Sequence, residues 1–231
     1  MRFDAVLFDC DGVLVDSEPI TIGVLRDMLA EAGWSMTVAR CMHLFVGKTV
    51  REERAMIEAQ TGRALTDQWM QAFYQRRNQE LQARLEIVPG AREAVAAALQ
   101  HTGQCIACAS GADRVKVRLQ LERVGLLDQF EGRIFSGHEM ARSKPAPDVY
   151  LAAARHLQVE PQCCLVIEDT VTGVRAGVAA GATVWAYCPV PELGAALTEA
   201  GATRLFSDMA DVPGMLALHC LPRNGSAGSA A

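Results

Sequence analysis

The chain has 231 residues, half of them apolar, with 27 acidic and 22 basic side chains and a formal net charge of −5. That composition is globular, and the length allows one large domain or two modest ones. No apolar run approaches the roughly 18 residues of a membrane helix, there is no Lys/Arg block for nucleic acid, and the start MRFDAVLFD does not read as a signal peptide. A cytoplasmic protein with neither membrane nor nucleic-acid partner is expected.

A first strand at 5–8 ends in Asp9. Residues 20–32, 49–61 and 66–85 then carry helical spacing, the first two closed by Gly33 and Gly62, and no convincing strand appears between 17 and 86. At Pro89-Gly90 the pattern changes. Helices at 91–101, 113–124 and 148–157, and one ending near Gly181, alternate with strands at 105–109, 133–135, 164–167, 183–187 and 203–206. A short helix closes the chain. Continuous apolar strands alternating with helices imply a parallel sheet covered on both faces. The expected fold is α/β: a doubly wound parallel-sheet (Rossmann-like) core from 1–15 and 88–218, with an inserted α-helical cap domain at 16–87. The tail 224–231, NGSAGSAA, is small, polar and linker-like.

The eight cysteines fall mostly in apolar runs, as reduced, buried thiols do. Cys105 and Cys108 have C-x-x-C spacing, but QCIACASG reads as a strand. Residues three apart on a strand face opposite sides, so this pair is expected neither to bridge nor to share a metal.

In open parallel sheets ligands bind at the carboxyl ends of the strands. Those ends read Asp9-Cys10-Asp11-Gly12, Ser110-Gly111, Ser143-Lys144-Pro145 and Glu168-Asp169. Four carboxylates cannot all stay ionised in one cleft without a cation. Oxygen ligands select Mg²⁺ or Ca²⁺ rather than zinc, and Asp9 and Asp169 would supply the carboxylates. With the ion, Lys144 converts an acidic cleft into a phosphate site. The i, i+2 spacing points both first-motif carboxylates the same way along a strand. Asp9 can then attack phosphorus to form an aspartyl-phosphate, while Asp11 protonates the leaving oxygen and later deprotonates water. Amides around Cys10 and Asp11 can hold phosphate oxygens, and Gly12 permits a tight exit from the strand.

The segments FDCDGVLVDSE (8–18), ASG (109–111), SKPAPDVY (143–150) and IEDTVTGVRAG (167–177) occur in that order, each after a strand or loop. In them the chain resembles the haloacid dehalogenase superfamily, in the subgroup with a helical C1-type cap after the first motif. Through 135–154 it is most similar to 6-phosphogluconate phosphatase-like enzymes, and through the first motif it resembles the beta-phosphoglucomutase type. The resemblance implies Asp9 as nucleophile and Asp11 as general acid/base, with the Asp11 backbone carbonyl a metal ligand. It puts Cys10, Ser110, Gly111 and Lys144 around the phosphate, Asp169 on Mg²⁺, and Glu168 on the ion through water. It implies a Mg²⁺-dependent phosphatase of a small phosphate ester, such as a sugar or sugar-acid phosphate, acting as a monomer or weak dimer. Asp11 favours an oxygen leaving group over the dehalogenases and phosphonatases, which lack an acid/base Asp there.

Three rival readings share parts of this pattern. An EF-hand needs ligands where Val13 and Ile20 stand and Gly where Leu14 stands. A phospho-accepting receiver-like signalling domain carries its acceptor on a middle strand and has no helical insertion. A sugar-phosphate mutase of this subgroup carries a His early in the first cap helix and an Arg after the cap Gly, where this chain has Thr21 and Val50, although Lys48 or Arg51 could stand in. The cap is expected to set specificity through Val46 to Thr49, with Lys48 and Thr49, and through Arg51, Arg77 and Asn78. Basic residues there would suit an anionic sugar-acid phosphate, while Arg76 and Arg77 read equally as solvated helix positions. Trp69, Phe73 and Tyr74 read as cap core rather than a stacking platform. Glu18 reads as helix N-terminal charge, and no His falls in a motif.

Overall fold

The computed structural model describes residues 3–45 and 49–219. One sheet of six parallel strands runs through it: β1 (Ala5–Phe8), β2 (Ile106–Ser110), β3 (Ile134–Ser136), β4 (Cys164–Glu168), β5 (Thr183–Tyr187) and β6 (Arg204–Phe206). Their order is β3-β2-β1-β4-β5-β6, the doubly wound arrangement expected. The chain leaves β1 for β2 and β3 on one side, then crosses to β4 on the other. The switch point, where ligands bind in such sheets, therefore lies at the end of β1.

The strands are apolar throughout because helices cover both faces. Along β1, Val6 and Phe8 pack with α5 (Ala91–Thr102), α6 (Arg114–Arg123), α7 (Leu127–Phe130) and α11 (Val212–Leu218). Ala5 and Leu7 pack with α8 (Asp148–His156), α9 (Val171–Ala179) and α10 (Gly194–Glu199). The same alternation puts Cys108 in the first cluster and Cys105 against the second, so the C-x-x-C thiols face apart as expected.

Between β1 and α5 lie α1 (Glu18–Glu31), α2 (Val38–Phe45), α3 (Arg54–Thr61) and α4 (Asp67–Arg84), with no strand among the described residues there. These helices bury a cluster of their own, including Leu25, Leu29, Phe45, Ile57, Met70 and Phe73. The chain enters and leaves this segment side by side. The Asp16 amide donates to the Glu86 carbonyl at 3.1 Å, and the Val88 amide to the Leu14 carbonyl at 3.0 Å.

Two local expectations differ. The helix expected from 49 begins only at Arg54, because the Glu52 carboxylate accepts from the amide and hydroxyl of Thr49, both at 2.9 Å, and holds 49–53 in turns. Helix α2 has no counterpart among the expected elements: at 8 residues it is too short for its apolar spacing to establish a period.

Gly90 joins the helical segment to α5 with φ +80, and a Cβ there would lie 2.3 Å from the Ala210 amide nitrogen. Gly90→Ala is expected to cost about 2–3 kcal/mol, lowering Tm by roughly 5–10 °C in a thermal melt. A melt within about 1 °C of wild type would contradict this close approach.

Candidate active site

Asp9 comes directly after β1, its amide continuing the ladder to the Ile167 carbonyl at 3.0 Å. Lys144, in the loop between β3 and α8, reaches it with Nζ 2.5 Å from Asp9 Oδ1. The same ammonium donates to Glu168 Oε1 at 2.6 Å and to the Ala109 carbonyl at 3.0 Å, and lies 4.7 Å from the centre of the Tyr150 ring. Burial opposes the Lys144 charge, but Asp9 and Glu168 more than offset it and push its pKa well above the lysine value.

Glu168 ends β4 and is buried. Its Oε1 accepts from Lys144 and from the Tyr150 hydroxyl at 3.0 Å. Its Oε2 accepts from the amides of Asp169 and Thr170 at 2.9 and 3.0 Å, and from the Thr170 hydroxyl at 3.0 Å. Burial raises its pKa, yet Lys144 and these donors bring it below the usual carboxylate value. Both oxygens are thus engaged. Glu168 thereby anchors Lys144.

Asp169 is the opposite case. Its Oδ1 is buried without a hydrogen-bond partner. Burial, and then the charges of Glu168 and Asp9, push its pKa well above the carboxylate range. Asp169 Oδ2 lies over Gly12, where a Cβ would come within 2.0 Å and where φ is +80. Asp9 is raised to about 7 by burial, with Lys144 opposing and Glu168 and Asp11 adding to the rise. Two adjacent, protonation-prone carboxylates and one orphaned oxygen form a donor set that fits a hard divalent cation. Among the described residues no three His, Cys, Asp or Glu side chains form a ready metal cage. A Mg²⁺ ion uses one or two carboxylates and completes its shell with water and substrate phosphate.

Asp11 lies beyond the strand, which ends at Phe8, yet it lines the same cavity as Asp9. Its Oδ1 accepts from Lys116 Nζ and Gln120 Nε2, both at 2.7 Å, and from the Ser17 hydroxyl. Burial raises its pKa, but the Lys116 charge and the three donors overcome this and leave it at about 2. Sequence reasoning misses Lys116 and Gln120. Their i, i+4 spacing on the helix after Ser110-Gly111 is the available signal. Cys10 is buried, its thiol donating to Gln120 Oε1 at 3.4 Å.

A cavity of about 460 Å³ joins these groups to the helical segment. Asp9, Asp11, Ser110, Gly111, Lys144 and Glu168 line it from the sheet side. Thr49, Arg51 and Arg77 line it from the other, while Asn78 does not. Instead Asn78 Oδ1 accepts from Arg77 Nε at 3.0 Å and Nη2 at 2.8 Å. Arg77 is buried rather than solvated and reaches Asp113, the N-cap of α6, at 3.0 Å. Arg76 points away to Glu31 at 2.6 Å. Tyr74 lines the cavity as well as packing against the helical core, and the exposed His138 lines it without any motif to announce it. Lys48, with Val46 and Gly47, lies outside the described residues.

Carboxylates and two nearly buried ammonium groups gathered at the switch point of a parallel sheet make the site that of an enzyme rather than a binding module. The chain belongs to the haloacid dehalogenase-like hydrolase family, whose profile matches residues 3–181. It is 28% identical over 191 residues to a 6-phosphogluconate phosphatase of Escherichia coli (strain K12), covering 82% of this chain and 85% of that one. A HAD family hydrolase from Deinococcus radiodurans R1, solved with bound phosphate and sodium, is 34% identical with a TM-score of 0.77, covering 94% of this chain and 96% of the other. A putative beta-phosphoglucomutase from Thermotoga maritima is 25% identical with a TM-score of 0.78, over 94% and 99% of the two chains. The protein is therefore a hydrolase of this family.

Glu168 packs so closely on Gly173 that a Cβ there would lie 1.6 Å from Oε1. Gly173→Ala is expected to displace the carboxylate, release Lys144 and lower turnover on the order of 100-fold. Steady-state kinetics beside a thermal melt check this, and wild-type turnover would contradict the role given to Glu168.

Proposed function

We propose that this chain is a Mg²⁺-dependent phosphatase that passes the phosphoryl group of a small sugar-type phosphomonoester first to Asp9 and then to water. The observation that carries this reading is the pair of carboxylates flanking the Lys144 ammonium, beside the unpartnered, buried Oδ1 of Asp169. Mg²⁺ would be held by the carboxylates of Asp9 and Asp169 and the backbone carbonyl of Asp11, and would supply positive charge against the phosphate.

Each residue has a separate task. Lys144 fixes the attacking oxygen of Asp9 and offers its charge to the phosphate. Asp9 forms the bond to phosphorus as the bond to the leaving oxygen breaks, giving an aspartyl-phosphate and an alcohol. Ser110, Gly111 and the amides around Cys10 hold the non-bridging oxygens. The leaving oxygen takes a proton from Asp11, which must then be protonated and free of Lys116. In the second step Asp11 acts as base toward water, and its contacts with Lys116, Gln120 and Ser17 favour that ionised form. The helical segment acts as a cap that excludes bulk water from the cleft during transfer to Asp9.

A mutase must hold a second phosphate in the cap. Thr21 and Val50 line the cavity, and neither carries charge, which favours the phosphatase. The likeness to 6-phosphogluconate phosphatase supports a phosphorylated sugar as substrate.

Phosphate release from a panel of sugar phosphates, with Mg²⁺ and with excess EDTA, tests the proposal. Release is expected only with the ion, and Asp9→Asn is expected to lower it on the order of 10⁴-fold or more with the fold intact by circular dichroism. Near-wild-type release by Asp9→Asn, or isomer conversion without phosphate release, would contradict it.

A further inference from the structure

We propose that the leaving group accepted by this site is an uncharged sugar unit carrying a planar ring, as in a nucleoside 5′-monophosphate, and not a sugar acid or a bisphosphate. This names the substrate class of the phosphatase proposed above and rests on that reading.

The side of the cavity facing the carboxylates carries an apolar patch. Ile22, Leu25, Phe45, Val50, Phe73 and Tyr74 line it from the helical segment. Its volume of about 460 Å³ falls within the roughly 300–1,000 Å³ of small-molecule sites and exceeds what a phosphate alone requires.

Charge disfavours a second anion. Among the described residues, the cations that line this side of the cavity are already matched. Arg77 holds Asp113 at 3.0 Å, and Arg51 holds Asp67 at 3.2 Å. Glu18, Glu52 and Asp113 bring further negative charge to the same walls. Among the described residues, a carboxylate or second phosphate placed there would compete with Asp67 and Asp113 for these guanidiniums and would meet the charge of Glu18 and Glu52.

Two features select an uncharged, ring-bearing sugar. The Tyr74 ring is held by the Arg77 guanidinium, whose carbon lies 4.9 Å from the ring centre. An aromatic ring fixed in this way gives a flat surface on which a base can stack, and such stacking tolerates any base. Thr21 Oγ1, also in the cavity lining, is buried with no hydrogen-bond partner. A buried hydroxyl without a partner is costly, and a sugar hydroxyl supplies one.

The test is kcat/KM, with Mg²⁺, for uridine and adenosine 5′-monophosphates, 6-phosphogluconate and acetyl phosphate. Wild type, Tyr74→Ala, Tyr74→Phe and Thr21→Val are compared. The nucleoside phosphates are expected to exceed 6-phosphogluconate at least tenfold. Tyr74→Ala is expected to raise KM for the nucleoside phosphates about tenfold more than for acetyl phosphate, with Tyr74→Phe restoring most of the loss. Thr21→Val is expected to lower kcat/KM for the nucleoside phosphates about fivefold more than for acetyl phosphate. A preference for 6-phosphogluconate, or equal losses on all substrates, overturns the inference. If acetyl phosphate is hydrolysed and the nucleoside phosphates are not, only this inference falls. If acetyl phosphate too is untouched, the phosphatase reading falls with it.

Discussion

The Lys144 ammonium sits with its side chain almost buried between Asp9 at 2.5 Å and Glu168 at 2.6 Å, over the face of Tyr150. Three charges removed from water are tolerated only when each is paired and hydrogen-bonded. Much of the surrounding structure meets that condition. Thr170 and the amide after Glu168 satisfy its second oxygen, Tyr150 satisfies the first, and the missing side chain of Gly173 gives the carboxylate room. The parallel register of β1 with β4, pairing Phe8 with Ile167, sets Asp9 beside Glu168 and Asp169.

The same cleft holds Asp9 and Asp11 in different states. Burial lifts Asp9 to about 7, while Lys116, Gln120 and Ser17 outweigh burial and leave Asp11 at about 2. Two carboxylates two residues apart are thus assigned separate chemistry by elements distant in sequence: the loop before α8 for one, the first turns of α6 for the other. Asp113 joins α6 to the helical segment through Arg77, so the helix that holds Asp11 also contacts the wall where a leaving group would lie.

The sheet and the strand-end motifs were legible because each depends on local pattern. Continuous apolar runs give buried parallel strands, and polar residues immediately after them mark the ligand edge. What was illegible depends on long-range geometry. The partners that hold Asp11 lie on α6, and nothing in its spacing from Asp9 announces Lys116 or Gln120. Glu168 reads as a metal-site residue from Glu-Asp alone; only the packing of α8 and α9 against β4 fills its oxygens with Lys144, Tyr150 and Thr170. Arg77 and Asn78 share a helix, yet only Arg77 lines the cavity, a difference that charge and spacing do not carry.

The central claim is that Asp9 forms a covalent bond to phosphorus. Rapid quenching during turnover, then borohydride reduction and peptide mass spectrometry, tests it directly, because an acyl phosphate is reduced to the alcohol while a free carboxylate is not. The account predicts homoserine at position 9, formed only when substrate is present. Unmodified aspartate at position 9 in every quenched sample, or reduction at Asp11 instead, would contradict it.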